Sequence, residues 1–236
     1  MTVRVLMDAC LLVKGNVSNV MLDLSDAGLI ELHWTDEIEY ETAKNWTRIQ
    51  LSKDASDREK AGVILPHTDQ DIETKLNAAW NRLEYFHTLV PEWRVPGWNL
   101  IRCARRLLPQ LLSAEVSLPI ITPKMKVDPK DVHVALAAME LARVFTEDEV
   151  WLATDNINDL PPEILNRVKV DVMIPGILIE SLYQKNGLAV VSALEKTMFD
   201  SKKPKIDQLS MIRIMQAENQ FGSTVMASEL RRIWGL

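Results

Sequence analysis

Val3-Arg4-Val5-Leu6-Met7-Asp8 is a short apolar run that stops on a carboxylate. Its length and composition predict a buried strand with Asp8 at the C-terminal end. Downstream, Asn16 or Ser18 can cap a helix that puts Val17, Val20, Met21 and Leu24 on one face and closes at Gly28. Residues 29–34 (Leu-Ile-Glu-Leu-His-Trp) predict a second strand. Thr35 or Asp36 then caps a helix to about Leu51, with Ile38, Glu41, Asn45 and Ile49 on one face. Far along the chain the same grammar returns. Residues 131–144 are apolar nearly all round, as a buried helix is. Val150-Trp151-Leu152-Ala153 predicts a strand with Asp155 just past its end, and Val168 to Ile174 predicts another, ended by Pro175. Strands alternating with helices predict an α/β fold, a parallel sheet flanked by helices.

The stretch between these two parts is harder to read. Residues 70–90 carry an amphipathic stripe of Ile72, Leu76, Ala79, Leu83 and Phe86. A loop rich in Pro and Trp follows (Pro91, Trp93, Pro96, Gly97, Trp98), then a basic helix with Arg102, Arg105 and Arg106. Residues 176–236 predict three helices, about 176–198, 206–218 and 224–234, broken at Lys202-Lys203-Pro204-Lys205. The expected organisation is a domain over 1–175, with a helical insertion at about 61–124, and a C-terminal helical extension over 176–236.

Composition bounds the function. The 236 residues are enough for a sizeable core. No run of 18 or more apolar residues is present, so no membrane span is expected. The start shows no basic segment followed by an apolar one, so no secretory signal is expected. Cys10 and Cys103 form no framework and read as reduced thiols, which points to a cytoplasmic protein. The net charge of −6 argues against general coating of nucleic acid but leaves room for an enzyme built on clustered acids.

Asp8, Asp131 and Asp155 share one structural address, the carboxyl ends of strands, where open parallel sheets bind ligands. Glu41 is predicted on an inward helix face, where a carboxylate is costly unless paired. Two unit charges about 4 Å apart repel by roughly 4 kcal/mol at an effective dielectric of about 20. Such a group raises its pKa values or binds a cation, and oxygen-only donors suit Mg²⁺ or Mn²⁺. Taken singly, each acid has a plainer reading. An Asp after a strand caps a loop, Asp131 caps a helix, and Asp128 and Asp159 are loop and turn acids. The inference therefore rests on the set. Other chemistries find no support. The four histidines lack zinc-ligand spacing, and neither a phosphate-binding Gly-rich loop nor a Gly-x-Ser-x-Gly elbow is present. His133 reads as a core or rim histidine, and Trp93 and Trp98 as loop packing. The arginines at 102, 105 and 106 read as a solvated helix face.

Four segments, in order, resemble the PIN-domain ribonucleases. Val5-Leu6-Met7-Asp8-Ala9-Cys10-Leu11-Leu12 resembles the family's first strand and first aspartate. His33-Trp34-Thr35-Asp36-Glu37-Ile38-Glu39-Tyr40-Glu41 resembles the segment with its glutamate, here Glu41, and Asn45 matches a frequent companion. Asp128-Pro129-Lys130-Asp131-Val132-His133-Val134-Ala135 is similar to the helix start that carries its third acid, Asp131, with Asp128 as a satellite. Thr154-Asp155-Asn156-Ile157-Asn158-Asp159-Leu160-Pro161 resembles the family's Thr-x-Asn-x-x-Asp-Phe-Pro stretch, with Leu160 for the Phe and Asp155 as an extra acid. Which of Asp155, Asn156 and Asp159 reaches a metal stays open. The resemblance covers 1–60 and 125–175, and the tail looks like that of bacterial PIN toxins of the VapC type.

It implies a Mg²⁺- or Mn²⁺-dependent endoribonuclease with Asp8, Glu41, Asp131 and Asp155 or Asp159 at the metal. Thr154, Asn156, Asn45 and Asp128 would support the site or the substrate. It also implies an RNA substrate, a toxin role, a cognate antitoxin partner and a homodimer. Two alternatives compete. One is a catalytically inactive interaction protein on the same scaffold. The other is a phosphatase of the haloacid-dehalogenase type, which wants an Asp where this chain has Cys10.

Overall fold

The computed structural model describes residues 2–60, 66–101, 127, 130–201 and 204–236. The chain is an α/β protein around four parallel strands, as the sequence predicts. These are β1 (Val3–Met7), β2 (Glu31–His33), β3 (Glu149–Ala153) and β4 (Val170–Met173), in the order β2-β1-β3-β4. Val5 pairs with Leu32 on one side and Trp151 on the other, and Leu152 pairs with Val172. The central strands are apolar because both sheet faces are covered: Val5, Leu6, Met7, Leu152 and Ala153 are fully buried.

Two helices follow β1, and β2 is followed first by two more. α1 (Ala9–Leu12) and α2 (Gly15–Asp26) connect β1 to β2. The predicted stripe of Val17, Val20, Met21 and Leu24 is buried. Gly28 ends that connection at φ +69°, the left-handed region a Cβ disfavours. α3 (Asp36–Lys60) runs nine residues beyond the predicted end near Leu51. No Gly or Pro interrupts residues 52–60, and α4 (Asp69–Leu89) supports that added length. Lys75 pairs with Asp54 at 2.8 Å and Arg58 with Asp71 at 3.5 Å. A capping box starts α4, Thr68 accepting from the Asp71 N–H while the Asp71 carboxylate accepts from the Thr68 N–H. Of the α4 stripe, Ala79, Leu83 and Phe86 are buried, whereas Ile72 is exposed.

The Pro–Trp loop extends the sheet by one isolated parallel bridge, Trp34 with Arg94. Trp93 and Trp98 are buried, so this loop packs rather than presents its rings. Arg102, Arg105, Arg106 and Cys103 lie outside the described residues.

α5 (Val132–Val144) is buried through Ala135, Ala137, Ala138 and Leu141. After β3, a short α6 (Pro162–Leu165) and a 3₁₀ turn (Asn166–Val168) lead into β4. The tail forms the three predicted helices, α7 (Pro175–Asp200), α8 (Gln208–Gln216) and α9 (Thr224–Trp234). α7 lies against α2, where the Thr197 hydroxyl donates to Asp23 at 2.6 Å and Lys196 pairs with the same carboxylate. Its Leu178, Ile179, Leu182 and Leu194 belong to the same continuous apolar core as the strands. Gly176 lets α7 approach the segment before α9, since a Cβ there would meet the Phe221 carbonyl oxygen at 2.3 Å. Among the described residues no helix is long and apolar enough to cross a membrane.

Candidate active site

β1 and β3 are neighbours whose connections leave the sheet in opposite directions, β1 toward β2 and β3 toward β4. That is a topological switch point, where open parallel sheets leave a crevice beyond the strand ends. Asp8 and Thr154 are the residues that follow these two strands.

Asp8 is buried. The Thr154 hydroxyl donates to its Oδ2 at 2.6 Å and the Cys10 thiol donates to the same oxygen at 3.0 Å. Burial, then the Asp8 charge, pushes the Cys10 thiol well above its ordinary range, so it stays a protonated donor. Among the described residues nothing donates to Asp8 Oδ1. Thr154 has one hydroxyl proton, spent on Asp8, and its oxygen accepts from the Asn156 N–H at 2.9 Å. The Asn156 side-chain amide donates to Asp131 Oδ2 at 3.0 Å. A hydrogen-bonded chain therefore runs Asp8–Thr154–Asn156–Asp131 and joins the ends of β1, β3 and α5.

Glu41 enters from α3 and is half-buried. Burial pushes its carboxyl up, and the Asp8 charge adds to that. A hydrogen bond from Asn45 and the nearby Lys44 charge pull the other way. Glu41 and Asp8 therefore feel each other as like charges, the repulsion expected of converging acids. His133, on α5, adds a contact. Its Nδ1 lies 2.8 Å from the Lys130 carbonyl, which only accepts, so Nδ1 carries the proton. The other nitrogen, Nε2, stands 3.5 Å from Glu41 Oε2.

The predicted residues thus divide. Asp8, Thr154, Asn156 and Asp131 are linked, and Glu41 with Asn45 stands beside Asp8. Asp155 turns away, its carboxylate paired with Lys14 at the start of α2. Asp159 sits in the turn before α6, its N–H on the Asn156 carbonyl at 3.3 Å. Asp128 lies outside the described residues. Of the three residues left open after β3, Asn156 is the one in contact with another site acid.

Reading the sequence alone missed three participants. Cys10, two residues after Asp8, was read as a plain thiol, and Lys14 was passed over. His133, two residues after Asp131, was read as core or rim. The Asp-x-Cys and Asp-x-His spacings were the available signals.

The donors fit a hard divalent cation in kind, since Asp8, Glu41, Asp131 and Asn156 offer oxygen. Among the described residues, however, no three His, Cys, Asp or Glu side chains stand close enough to enclose an ion. The Asp8 charge acts on Glu41, and Asp131 is tied in through Asn156, without a closed cage among the described residues.

The fold and these contacts define a parallel α/β protein with linked carboxylates at its switch point. No model of a known protein family matches the sequence, and searches of curated proteins and of solved structures also return no match.

Proposed function

We propose that the chain is a metal-dependent endoribonuclease of the PIN type. One observation carries this reading. Beyond the strand ends at the switch point Glu41 stands near enough to Asp8 that burial, and then the Asp8 charge, raises its carboxyl. A half-buried carboxyl beside a buried one is costly to ionise unless a cation or a proton relieves the repulsion.

Asp8, Glu41 and Asp131 would hold Mg²⁺ or Mn²⁺, with Asp155 and Asp159 as the farther acids. When bound, the ion supplies a water of lowered pKa and charge compensation for the leaving oxygen. The chain's own part is placement. Thr154 fixes Asp8 Oδ2, Asn156 holds Asp131, and Asn45 steadies Glu41. His133 Nε2 stands 3.5 Å from Glu41 Oε2 at the rim. The toxin role, the cognate antitoxin and a homodimer belong to the same proposal and rest on the resemblance of the four segments.

A second reading, a non-catalytic interaction protein, draws on the pairing of Asp155 with Lys14 and on the unclosed cage. Incubating a mixed RNA pool with purified protein in Mg²⁺, in Mn²⁺ and in EDTA separates the two. Cleavage that needs the metal and disappears in Asp8→Asn supports the nuclease. Folded protein that cleaves nothing and binds neither ion supports the interaction protein.

A further inference from the structure

One exposed face of α3 starts beside the candidate site and is unlike the rest of this acidic chain. Tyr40, Lys44 and Arg48 recur every four residues, so they stack on one side of the helix, one turn or about 6 Å apart. All three are exposed, Tyr40 at 66%. Tyr40 is the residue before Glu41, and the Lys44 charge is close enough to act on the Glu41 carboxyl.

A solvated helix face usually sets its cations against acids three or four residues away. Here Lys44 and Arg48 are each other's i, i+4 neighbours, a like-charge pair that disfavours the helix slightly. Positions 40 and 52, the remaining four-residue neighbours, are Tyr and Ser, and the acid three residues before Lys44 is Glu41 of the candidate site, which feels the Lys44 charge without an ion pair to it. Among the described residues neither cation has a carboxylate within ion-pair distance. An anion laid along this face would relieve the repulsion. An exposed ring next to paired cations is the composition of a single-strand platform, in which bases stack and phosphates meet positive charge. A duplex hides its base faces and would leave Tyr40 unused.

We propose that the Tyr40–Lys44–Arg48 face of α3 is a track for single-stranded RNA. Tyr40 stacks on a base beside Glu41, and Lys44 and Arg48 hold neighbouring backbone phosphates. The track deepens the ribonuclease reading and rests on it, because it delivers the strand to the candidate site.

The test is fluorescence anisotropy of a short, mixed-sequence, labelled single-stranded RNA on the full chain in EDTA, across a salt series. The double variant Lys44→Gln, Arg48→Gln is expected to weaken binding about tenfold and flatten the log–log salt slope by about 1.4. Tyr40→Ala is expected to weaken it about tenfold with the slope unchanged, and Tyr40→Phe to restore it. Arg231→Gln on α9 serves as the control and should bind as wild type. All the substitutions are at exposed positions, and circular dichroism checks the fold. Unchanged affinity and slope in the folded variants overturn the track, as does equal affinity for duplex RNA or tighter binding of single-stranded DNA. Binding through this face without any metal-dependent cleavage would overturn the ribonuclease reading and leave the track standing.

Discussion

The ends of β1 and β2 lie side by side and are finished in opposite chemistry. Beyond β1 the chain places Asp8, held by a hydroxyl and a thiol and facing a second carboxyl. Beyond β2 it places His33 and Trp34, closed over by a loop. The Trp34 N–H donates to the Trp93 carbonyl at 2.8 Å and its ring stacks on Trp93 at 5.4 Å. His87 lies flat on the far ring at 4.5 Å. The Trp34 indole N–H donates to buried Glu39 at 2.8 Å, and the same carboxylate meets His87. Both ends bury an acid. At β2 the acid accepts from the Trp34 indole and contacts His87, neighbours that lock a loop. At β1 it is hydrogen-bonded on one oxygen and set against another acid. The difference sets a locked, packed strand end beside one with electrostatic tension along a single sheet edge.

The largest effect should come from the β1 end. Asp8→Asn is expected to lower metal-dependent cleavage by on the order of 10²–10⁴ in a rate assay while the fold survives, because Asn still accepts from Thr154 and Cys10. The same variant should lower the titration midpoint of Glu41, read by carbon NMR, since the Asp8 charge raises it. An unmoved midpoint would mean the two carboxyls are not coupled.

At the β2 end the damage should fall on stability. Trp34 is fully buried, so Trp34→Ala should cost about 3–5 kcal/mol in urea unfolding. A loss below about 1 kcal/mol would show that the loop does not depend on that ring.

The third effect is a pH dependence from the same end. His33 is buried, and burial followed by the Arg4 charge lowers its pKa to about 4, against an opposing pull from the backbone of Glu92, Trp93 and Arg94. The folded value lies below the unfolded one of about 6.5, so folding favours the neutral ring. That stability is present above about pH 6.5 and lost as pH falls through about 4, amounting to roughly 3 kcal/mol. Denaturant titrations between pH 7 and 4 should show the loss, and His33→Phe should remove this share of the slope. An unchanged slope in that variant would assign the acid sensitivity elsewhere.

The smallest effect is at Lys14. Its pair with Asp155 is partly exposed, so Lys14→Gln should change stability by less than about 1 kcal/mol. If cleavage also stays within about threefold, Asp155 is outside the metal site. A large activity change would return it there.

How legible each part was follows from how local its cause is. β1 with Asp8, and β3 itself, were readable because an apolar run that stops on a polar residue needs only its own neighbours; that Thr154 rather than Asp155 holds Asp8 was not. The start of α3 was readable from Thr35, whose hydroxyl accepts from the Ile38 N–H at 3.2 Å, but its inward face was not: Ile38, Glu39, Thr42, Ala43 and Thr47 are buried, whereas Glu41 and Asn45, expected inward, are only partly so. Ile49, two turns past Glu41, is likewise only partly buried. The choice among Asp155, Asn156 and Asp159 was not readable, because one residue of offset past a strand end reverses the side a group faces. Lys14 decides Asp155, and that pairing is set by tertiary structure across 141 positions. The Trp34–Trp93–His87 stack is of the same kind. Its members come from a strand end, a loop and a helix, and no period links them.

The central claim is that the β1 end holds a divalent cation. Titrating Mn²⁺ into the full chain and into Asp8→Asn, followed by electron paramagnetic resonance of the free ion, tests it most directly. The account predicts saturable Mn²⁺ binding in the wild type, displaced by Mg²⁺ and lost or greatly weakened in Asp8→Asn. Wild-type protein that binds no Mn²⁺, or a folded Asp8→Asn that binds it equally well, would contradict the claim.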